Sequence, residues 1–242
     1  SGLVTLGIPK SLNTILARKL VEVMTKSLSE TKEQSLSLAA FGDIKKFIAV
    51  RKPDVLAIGP GLSQNKQTQA LVRKIVSGIK MPMVIDADGL NALVGHLNIL
   101  RTPNPESRNP IITPHPGEMA RLLGVSTAVV QENRKDIAKR FAGDYNITVV
   151  LKGHKTVVAG KDGKTYVNNT GNPGMASAGC GDVLTGIIAS LLGQGLDSFE
   201  AAKFGVYLHG LAGDLAAKEK TQISMIASDI IDKIPKAIKM SS

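Results

Sequence analysis

The sequence contains one cysteine, no tryptophan and few aromatic residues of any kind. Cys180 is the single cysteine, and aromatic residues make up only 3% of the 242 positions. One cysteine cannot form an internal disulfide, which fits a reducing compartment such as the cytoplasm. Scarce aromatic rings leave few platforms for stacking nucleic-acid bases. The net charge of +10 therefore indicates a basic surface that attracts anionic small molecules, and we expect no nucleic-acid partner.

Long apolar runs and a signal-peptide pattern are also lacking. Glycine or polar residues interrupt every apolar run well short of a bilayer span, so we expect no membrane segment. The chain opens directly on the apolar segment Leu3–Ile8, without a secretion signal. Its hydrophobic fraction of 43% is typical of globular proteins, and its length is sufficient for one large α/β domain.

Apolar segments typical of buried strands alternate with segments of helical periodicity. This alternation predicts a mostly parallel sheet with helices on both faces. The predicted strands are Leu3–Ile8, Asp54–Gly59, Met83–Asp88, Ile111–Thr113, Ile147–Leu151 and a hairpin of Thr156–Ala159 with Thr165–Asn168. The predicted helices are Ser11–Thr25, Phe41–Val50, Gln64–Ser77, Met119–Leu123, Ala128–Phe141, Phe199–Ala217 and Met225–Ile234, the last ended by Pro235. Ser27–Ser37 is predicted to be a loop.

A glycine-rich stretch, residues 168–180, leads into an apolar segment that begins near Gly181 and Asp182. One helical stripe is predicted from Val183, Leu184, Ile187, Ile188, Leu191 and Leu192. The first amides of a helix lack intrahelical partners and favour anions, and Gly179 and Gly181 allow close approach. Asp182 can cap the helix, and it can also accept a proton from a substrate hydroxyl. Cys180 has no base beside it in the sequence, which disfavours a nucleophilic role.

Polar or glycine-rich turns follow four of the predicted strands. Because the carboxyl ends of parallel strands meet at one edge of a sheet, these turns are predicted to form one site. A tight turn, a helix cap or a surface turn is the alternative reading for each of them taken alone. The turns are Gly59-Pro60-Gly61, Asp86 to Asn91 with Asp88, Pro114-His115-Pro116, and Lys152-Gly153-His154-Lys155-Thr156.

These motifs, in this order and spacing, resemble the NAD(P)H-hydrate dehydratases, a carbohydrate-kinase-like branch of the ribokinase-like superfamily. The resemblance covers nearly the whole chain and implies a three-layer α/β/α sandwich of one domain, residues 1–242. It also implies a further strand–helix unit upstream of Leu3, which this sequence lacks. The motifs are GPGL at Gly59, DADGLN at Asp86, TPHPGE at Thr113, LKGHKT at Leu151 and GNPGMASAGCGDVLTGIIASLLGQG at Gly171.

The resemblance implies a cofactor-repair reaction with a nucleotide as phosphoryl donor. The ring hydroxyl of S-NADHX or S-NADPHX is phosphorylated by ADP or ATP, and loss of phosphate restores NADH or NADPH. Asp182 is the implied base, and the amides of Gly179, Cys180, Gly181 and Asp182 are the implied anion hole. Mg²⁺ would neutralise phosphate charge, with no direct protein ligand assigned. The implied nucleotide-binding residues are Lys152, Gly153, His154, Lys155, Thr156 and Gly181. The implied substrate-binding residues are Gly59, Gly61, His115, Asn172 and Asp182, with Asp86, Asp88 and Asn91 as phosphate or metal support.

Several features stay open at the level of sequence. Both ADP and ATP would present phosphates to the same loop. The resemblance implies a homo-oligomer, a tetramer, and a partner or fused NAD(P)HX epimerase. The competing readings are a thiazole or pyrimidine vitamin-precursor kinase of the same superfamily and a non-catalytic nucleotide-binding protein. Cys180 occupies a position where the family often has serine or another small residue.

Overall fold

The computed structural model describes residues 1–101 and 110–241. Its strands are β1 (Thr5–Pro9), β2 (Met24–Leu28), β3 (Leu56–Ile58), β4 (Met83–Ile85), β5 (Ile111–Ile112), β6 (Thr148–Leu151), β7 (Val157–Ala159) and β8 (Thr165–Val167). Its helices are α1 (Asn13–Lys19), α2 (Ala40–Arg51), α3 (Lys66–Gly78), α4 (Asp88–Asn91), α5 (Pro116–Leu123), α6 (Thr127–Glu132), α7 (Arg134–Tyr145), α8 (Cys180–Gly193), α9 (Ser198–Lys220) and α10 (Ala227–Ser241).

The central sheet has six strands in the order β3-β4-β5-β6-β7-β8. The first four are parallel to one another, and β7 and β8 continue the sheet as an antiparallel hairpin. The predicted mostly parallel sheet and the predicted hairpin are both confirmed. Because β3 to β6 are parallel, their carboxyl ends lie along a single edge.

Alternate side chains of the central strands pack into two separate hydrophobic cores, one on each face of the sheet. Val84, Ile111 and Val150 pack with α8 and α9 on one face, whereas Ile85 and Ile112 pack with α3, α5 and α7 on the other. Side chains of a strand alternate between faces, and a strand covered on both sides needs apolar residues throughout. The result is the expected three-layer α/β/α sandwich.

The N-terminal segment differs from its prediction. Leu3–Ile8 was expected to be a buried strand, but β1 is largely exposed and pairs in parallel with β2 in a separate two-stranded sheet. The predicted helix Ser11–Thr25 ends at Lys19, because its last residues are extended and form β2. The predicted loop Ser27–Ser37 therefore begins inside that strand. The helical spacing of apolar residues was outweighed here by strand pairing.

Two helix boundaries also differ from their predictions. The segment predicted as one helix, Ala128–Phe141, divides at Asn133 into α6 and α7. Pro235 lies inside α10 and does not end it. Proline removes the hydrogen bond to the carbonyl four residues earlier, here that of Ile231, which is 52% exposed and can be hydrated instead.

Within residues 1–101 and 110–241, no helix combines the length and the apolar character that crossing a bilayer requires.

Candidate active site

The turns after β3 and β4 pack backbone against backbone. Gly59 has a φ of +133°, and a Cβ added there would lie 1.7 Å from the Asp86 carbonyl oxygen. A Cβ on Gly89 would in turn lie 2.9 Å from the Ile58 carbonyl oxygen. Only glycine tolerates this approach, so the two motifs fix each other's position. Gly61 also has a positive φ, but it faces open space.

The acidic turn after β4 is locally strained. Ala87, between the two aspartates, has φ +48° and ψ −121°, a conformation that an L-residue adopts at a cost. Asp88 accepts hydrogen bonds from the Ser63 amide (2.9 Å) and the Asn91 side-chain amide (3.1 Å). Asn91 accepts from Arg121 Nε at 3.1 Å. Asp88 and Asn91 therefore hold the loop and helix around the site together.

Asp86 is buried and both of its carboxylate oxygens are occupied. Lys152 Nζ donates to Oδ1 at 2.7 Å, and the Thr185 hydroxyl of α8 donates to Oδ2 at 2.8 Å. Glu118 Oε2 lies 3.9 Å from the same ammonium group. A charge this deep needs a partner and hydrogen bonds. Asp86 therefore connects β4, the loop after β6 and the first turns of α8.

His115 begins helix α5 through a reciprocal capping arrangement. Its Nδ1 accepts from the Gly117 amide at 3.0 Å, and Glu118 accepts from the His115 amide at 2.8 Å. Pro116 is the first helical residue, where a missing amide proton costs nothing. The His115 side chain stays half exposed, with Nε2 3.5 Å from Glu118 Oε1. The imidazole is thus held at the edge of the Asp86–Lys152 pair.

Helix α8 begins beside this pair and presents free amides. Gly179 precedes it with φ +86°, and Cys180 donates its amide to the Ser177 carbonyl. Within residues 1–101 and 110–241, the Gly181 and Asp182 amides have no acceptor. A Cβ on Gly181 would lie 3.3 Å from Lys152 Nζ. The helix terminus and an ammonium group thus face the same space, which suits an anion.

Asp182 is an exposed carboxylate in the first turn of α8. Partial desolvation raises the pKa of Asp182, and repulsion from Asp86 raises this pKa further, while Lys152 opposes the change. A raised pKa makes a carboxylate a better proton acceptor at neutral pH. Cys180, in contrast, is buried in the core between α8, α9 and α10. Its thiol therefore contributes packing.

The loop Lys152–Thr156 leaves β6 in a glycine-dependent conformation. Gly153 has φ +136°, and a Cβ there would lie 3.0 Å from Nη2 of Arg134. The Arg134 guanidinium donates to the carbonyls of Leu151 (3.0 Å), Lys152 (3.2 Å) and His154. Burial lowers the pKa of Arg134. This arginine, which sequence reasoning did not single out, supports the loop from behind.

The loop before α8 is fastened to helix α9. Asp214 accepts from the Gly171 amide at 2.9 Å and from the Asn172 side chain at 3.1 Å. A Cβ on Gly210 would meet Thr170 Oγ1 at 2.2 Å, so the loop and α9 are in direct contact. Asn172 is thus positioned by α9, with no described contact to the Asp86–Lys152 pair.

The structure brings most of the predicted residues to one edge of the sheet. Gly59, Asp86, His115, Lys152 and Gly181 form one connected set through the contacts above. Sequence reasoning missed the side chains that join these motifs, because their partners are distant along the chain. The missed residues are Arg134 and Asp214, and no role was predicted for Glu118 and Thr185, which lie inside two of the quoted motifs.

Magnesium would fit this site as a companion of bound phosphate. Among the described residues, no group of three or more His, Cys, Asp or Glu side chains could hold a metal. Asp86 and Asp88 already have donors on both oxygens. Mg²⁺ commonly keeps several waters and binds through one or two carboxylates and substrate phosphates. A site of free amides and few available carboxylates is consistent with that mode.

Comparison with known proteins identifies close relatives. The NAD(P)H-hydrate dehydratase family model matches residues 1–236. A bifunctional NAD(P)H-hydrate repair enzyme Nnr from Moorella thermoacetica is 48% identical over 240 residues, covering 99% of this chain and 44% of the relative. An ADP-dependent (S)-NAD(P)H-hydrate dehydratase from Neisseria meningitidis is 48% identical over 154 residues, covering 62% of this chain and 50% of the relative. The chain thus spans about half the length of these relatives.

Solved structures similar to this chain include a protein of the same kind as the relatives found by sequence. The ADP/ATP-dependent NAD(P)H-hydrate dehydratase from Bacillus subtilis, co-crystallised with ATP/Mg²⁺ and soaked with CoA, has a TM-score of 0.79 at 29% identity, covering 100% of this chain and 82% of that chain. A hydroxyethylthiazole kinase from Pyrococcus horikoshii has a TM-score of 0.64 at 15% identity over 98% of this chain and 88% of that one, a likeness of fold alone.

The family model thus matches nearly the whole chain, including every residue of the site described above. The chain therefore belongs to the NAD(P)H-hydrate dehydratase family and has its ribokinase-like fold.

Proposed function

We propose that the protein dehydrates S-NADHX and S-NADPHX to NADH and NADPH, with ADP or ATP as phosphoryl donor. The observation that carries this proposal is Asp182, an exposed carboxylate of raised pKa in the first turn of α8, where the Gly181 and Asp182 amides have no acceptor among the described residues. The names of the family and of the relatives supply the substrate and the nucleotide.

In the proposed reaction, Asp182 accepts the proton of the ring hydroxyl as the hydroxyl oxygen attacks the terminal phosphorus of the nucleotide. The bond from that phosphorus to the bridging oxygen breaks, and AMP leaves from ADP or ADP leaves from ATP. The amides of Gly181 and Asp182 donate to the charged oxygens of the transferring group. The C–O bond then breaks and its electron pair leaves with inorganic phosphate. The adjacent ring carbon releases a proton to water, and the electrons of that C–H bond restore the ring double bond. Mg²⁺, held by phosphates and water, would offset the remaining negative charge.

The nucleotide and the dinucleotide are assigned to different sets of residues. We propose that the Lys152–Thr156 loop and Gly181 bind the nucleotide, and that Gly59, Gly61, His115 and Asn172 line the dinucleotide pocket. The rigid contact between Gly59 and Asp86 and the capped position of His115 support this assignment. Asp86, Asp88 and Asn91 act as supports, since their oxygens are engaged within the protein.

The proposal also covers the oligomeric state, the location and the partner enzyme of the protein. A homotetramer in the cytoplasm, built from a single ribokinase-like domain spanning residues 1–242, is the assembly we propose on the family resemblance and the single cysteine. Cooperation with an NAD(P)HX epimerase is supported by relatives that are named bifunctional. Light scattering after gel filtration would test the tetramer.

The test is recovery of reduced-nicotinamide absorbance from S-NADHX with Mg²⁺, run with ADP, ATP or no nucleotide. Nucleotide-dependent recovery is expected, and Asp182→Asn should reduce turnover about 100- to 10,000-fold, the usual contribution of a general base. The same variant should still bind nucleotide. Unchanged turnover in Asp182→Asn would refute the base assignment. Accumulation of a phosphorylated product without NADH would favour a small-molecule kinase instead.

A further inference from the structure

Arg134 is a half-buried arginine with an unusual set of contacts. Its guanidinium donates to three main-chain carbonyls, those of Leu151, Lys152 and His154, at the end of β6 and in the loop that follows. The planar fork of arginine can hold several acceptors at fixed angles. The group lies flat against Gly153, where a Cβ would be 3.0 Å from Nη2. Arg134 thus fixes the course of the loop on one side.

Because Arg134 fixes the orientation of these carbonyls, it also fixes the orientation of the amides that follow them in the chain. In a planar trans peptide, the carbonyl oxygen and the following N–H point in opposite directions. Arg134 holds the Lys152 and His154 carbonyls, so the amides of Gly153 and Lys155 must point away from it. Both residues are exposed, and within the described part of the chain neither amide has an acceptor. Two free donors therefore face outward from the supported loop.

The positive charge of Arg134 is not neutralised by a carboxylate among the described residues. In residues 1–101 and 110–241, no carboxylate forms an ion pair with it. It is also the first residue of α7, where a positive charge opposes the helix dipole. A cation with no described carboxylate partner thus lies, in this unfavourable position, directly behind two amides with no described acceptor. Outward-pointing amides backed by a positive charge form a suitable binding surface for phosphate.

We propose that Arg134 is a positioning residue for nucleotide binding, which orients the Gly153 and Lys155 amides toward the nucleotide phosphates and adds its charge behind them. This inference rests on the proposed function only in naming ADP or ATP as the ligand. Arg134 contacts the loop and not the reacting atoms, so it affects nucleotide affinity rather than the chemical step.

The experiment compares Arg134→Gln, Arg134→Lys and Arg140→Gln with the parent protein. Arg140 is an exposed arginine of the same helix and serves as the matched control. Calorimetric titration with ADP and Mg²⁺ should show affinity about tenfold weaker for Arg134→Gln, the size of one lost charge-assisted hydrogen bond. Arg134→Lys keeps the positive charge but lacks the planar guanidinium fork, so its affinity for ADP should lie between those of the parent protein and Arg134→Gln. Arg140→Gln should bind as the parent does.

Steady-state kinetics separate positioning from general damage. For Arg134→Gln we expect the KM for nucleotide to rise about tenfold, with kcat and the KM for S-NADHX little changed. Equal losses for both substrates, or parental ADP affinity in Arg134→Gln, would overturn the inference. If the parent binds ADP but has no dehydratase activity, the proposed function fails while the titration still decides the role of Arg134. A parent that binds neither ADP nor ATP would overturn both.

Discussion

The contact between the first two motif turns predicts a large difference between two neighbouring glycines. Gly59→Ala places a methyl group 1.7 Å from the Asp86 carbonyl oxygen, at a φ of +133° that L-residues rarely adopt. The backbone conformation costs about 1–3 kcal/mol, and displacing packed neighbours costs about 1–3 kcal/mol more. Gly61→Ala has φ +69° and open space around the added methyl group, so only about 1–2 kcal/mol is expected.

Urea unfolding followed by circular dichroism measures both variants against the parent. We expect Gly59→Ala to lose about 2–6 kcal/mol, a large part of a typical stability of about 5–15 kcal/mol. The m-value should be unchanged for both proteins. Because the displaced group is the backbone of Asp86, any folded Gly59→Ala protein should also bind nucleotide more weakly through Lys152. Equal destabilisation of the two variants would refute the packing argument.

Three further predictions concern strained or perturbed residues at the site. The raised folded-state pKa of Asp182 means that its ionisation opposes folding, so Asp182→Asn should raise the urea midpoint at pH 7. This gain should vanish below about pH 4, where the carboxyl is protonated in both states; equal midpoints at pH 7 would contradict it. Burial lowers the pKa of His209 from 6.5 to about 4, with Lys152 adding to the effect and the Cys180 backbone opposing it. Stability should therefore fall by up to about 3 kcal/mol between pH 6.5 and 4, and a comparison of unfolding free energies at pH 7 and 4.5 should show that His209→Gln lacks this component. Ala87→Gly should relieve the left-handed backbone and stabilise by about 0.5–1 kcal/mol, net of the entropy of glycine in the unfolded chain; a loss of stability in thermal melts would contradict this.

The parts of the fold that sequence reasoning predicted well are those with a strong local signal. Val149, Val150 and Leu151 form an uninterrupted apolar run, as a strand buried on both faces requires. The start of α8 was predicted within one residue, since the glycines end the loop and an apolar stripe follows. The convergence of the four turns followed from parallel strand order alone.

Predictions failed where a local pattern competes with a distant partner. Met24 fits a helical apolar spacing and Thr25 ends that predicted helix, but both pair with β1 in the register Thr5↔Met24 and Leu6↔Thr25, each 19 residues after its partner. Thr185 looks like an ordinary helix residue until its hydroxyl meets Asp86, 99 positions away. Local propensity carries no information about such long-range contacts, so the side chains that join the motifs were invisible in the sequence.

The two aspartates at the centre of the site illustrate how environment separates similar groups. Asp86 is buried with a donor on each oxygen, so it serves as a fixed negative charge that holds Lys152 and α8. Asp182 is exposed and has no described donor, and the pKa of its carboxyl is raised by desolvation and then by Asp86 itself. One carboxylate is thereby committed to structure and the other is left free to accept a proton. Because the charge of Asp86 also raises the pKa of Asp182, replacing Asp86 by a neutral residue would lower the pKa of Asp182. The same replacement would remove the ion-pair partner of Lys152.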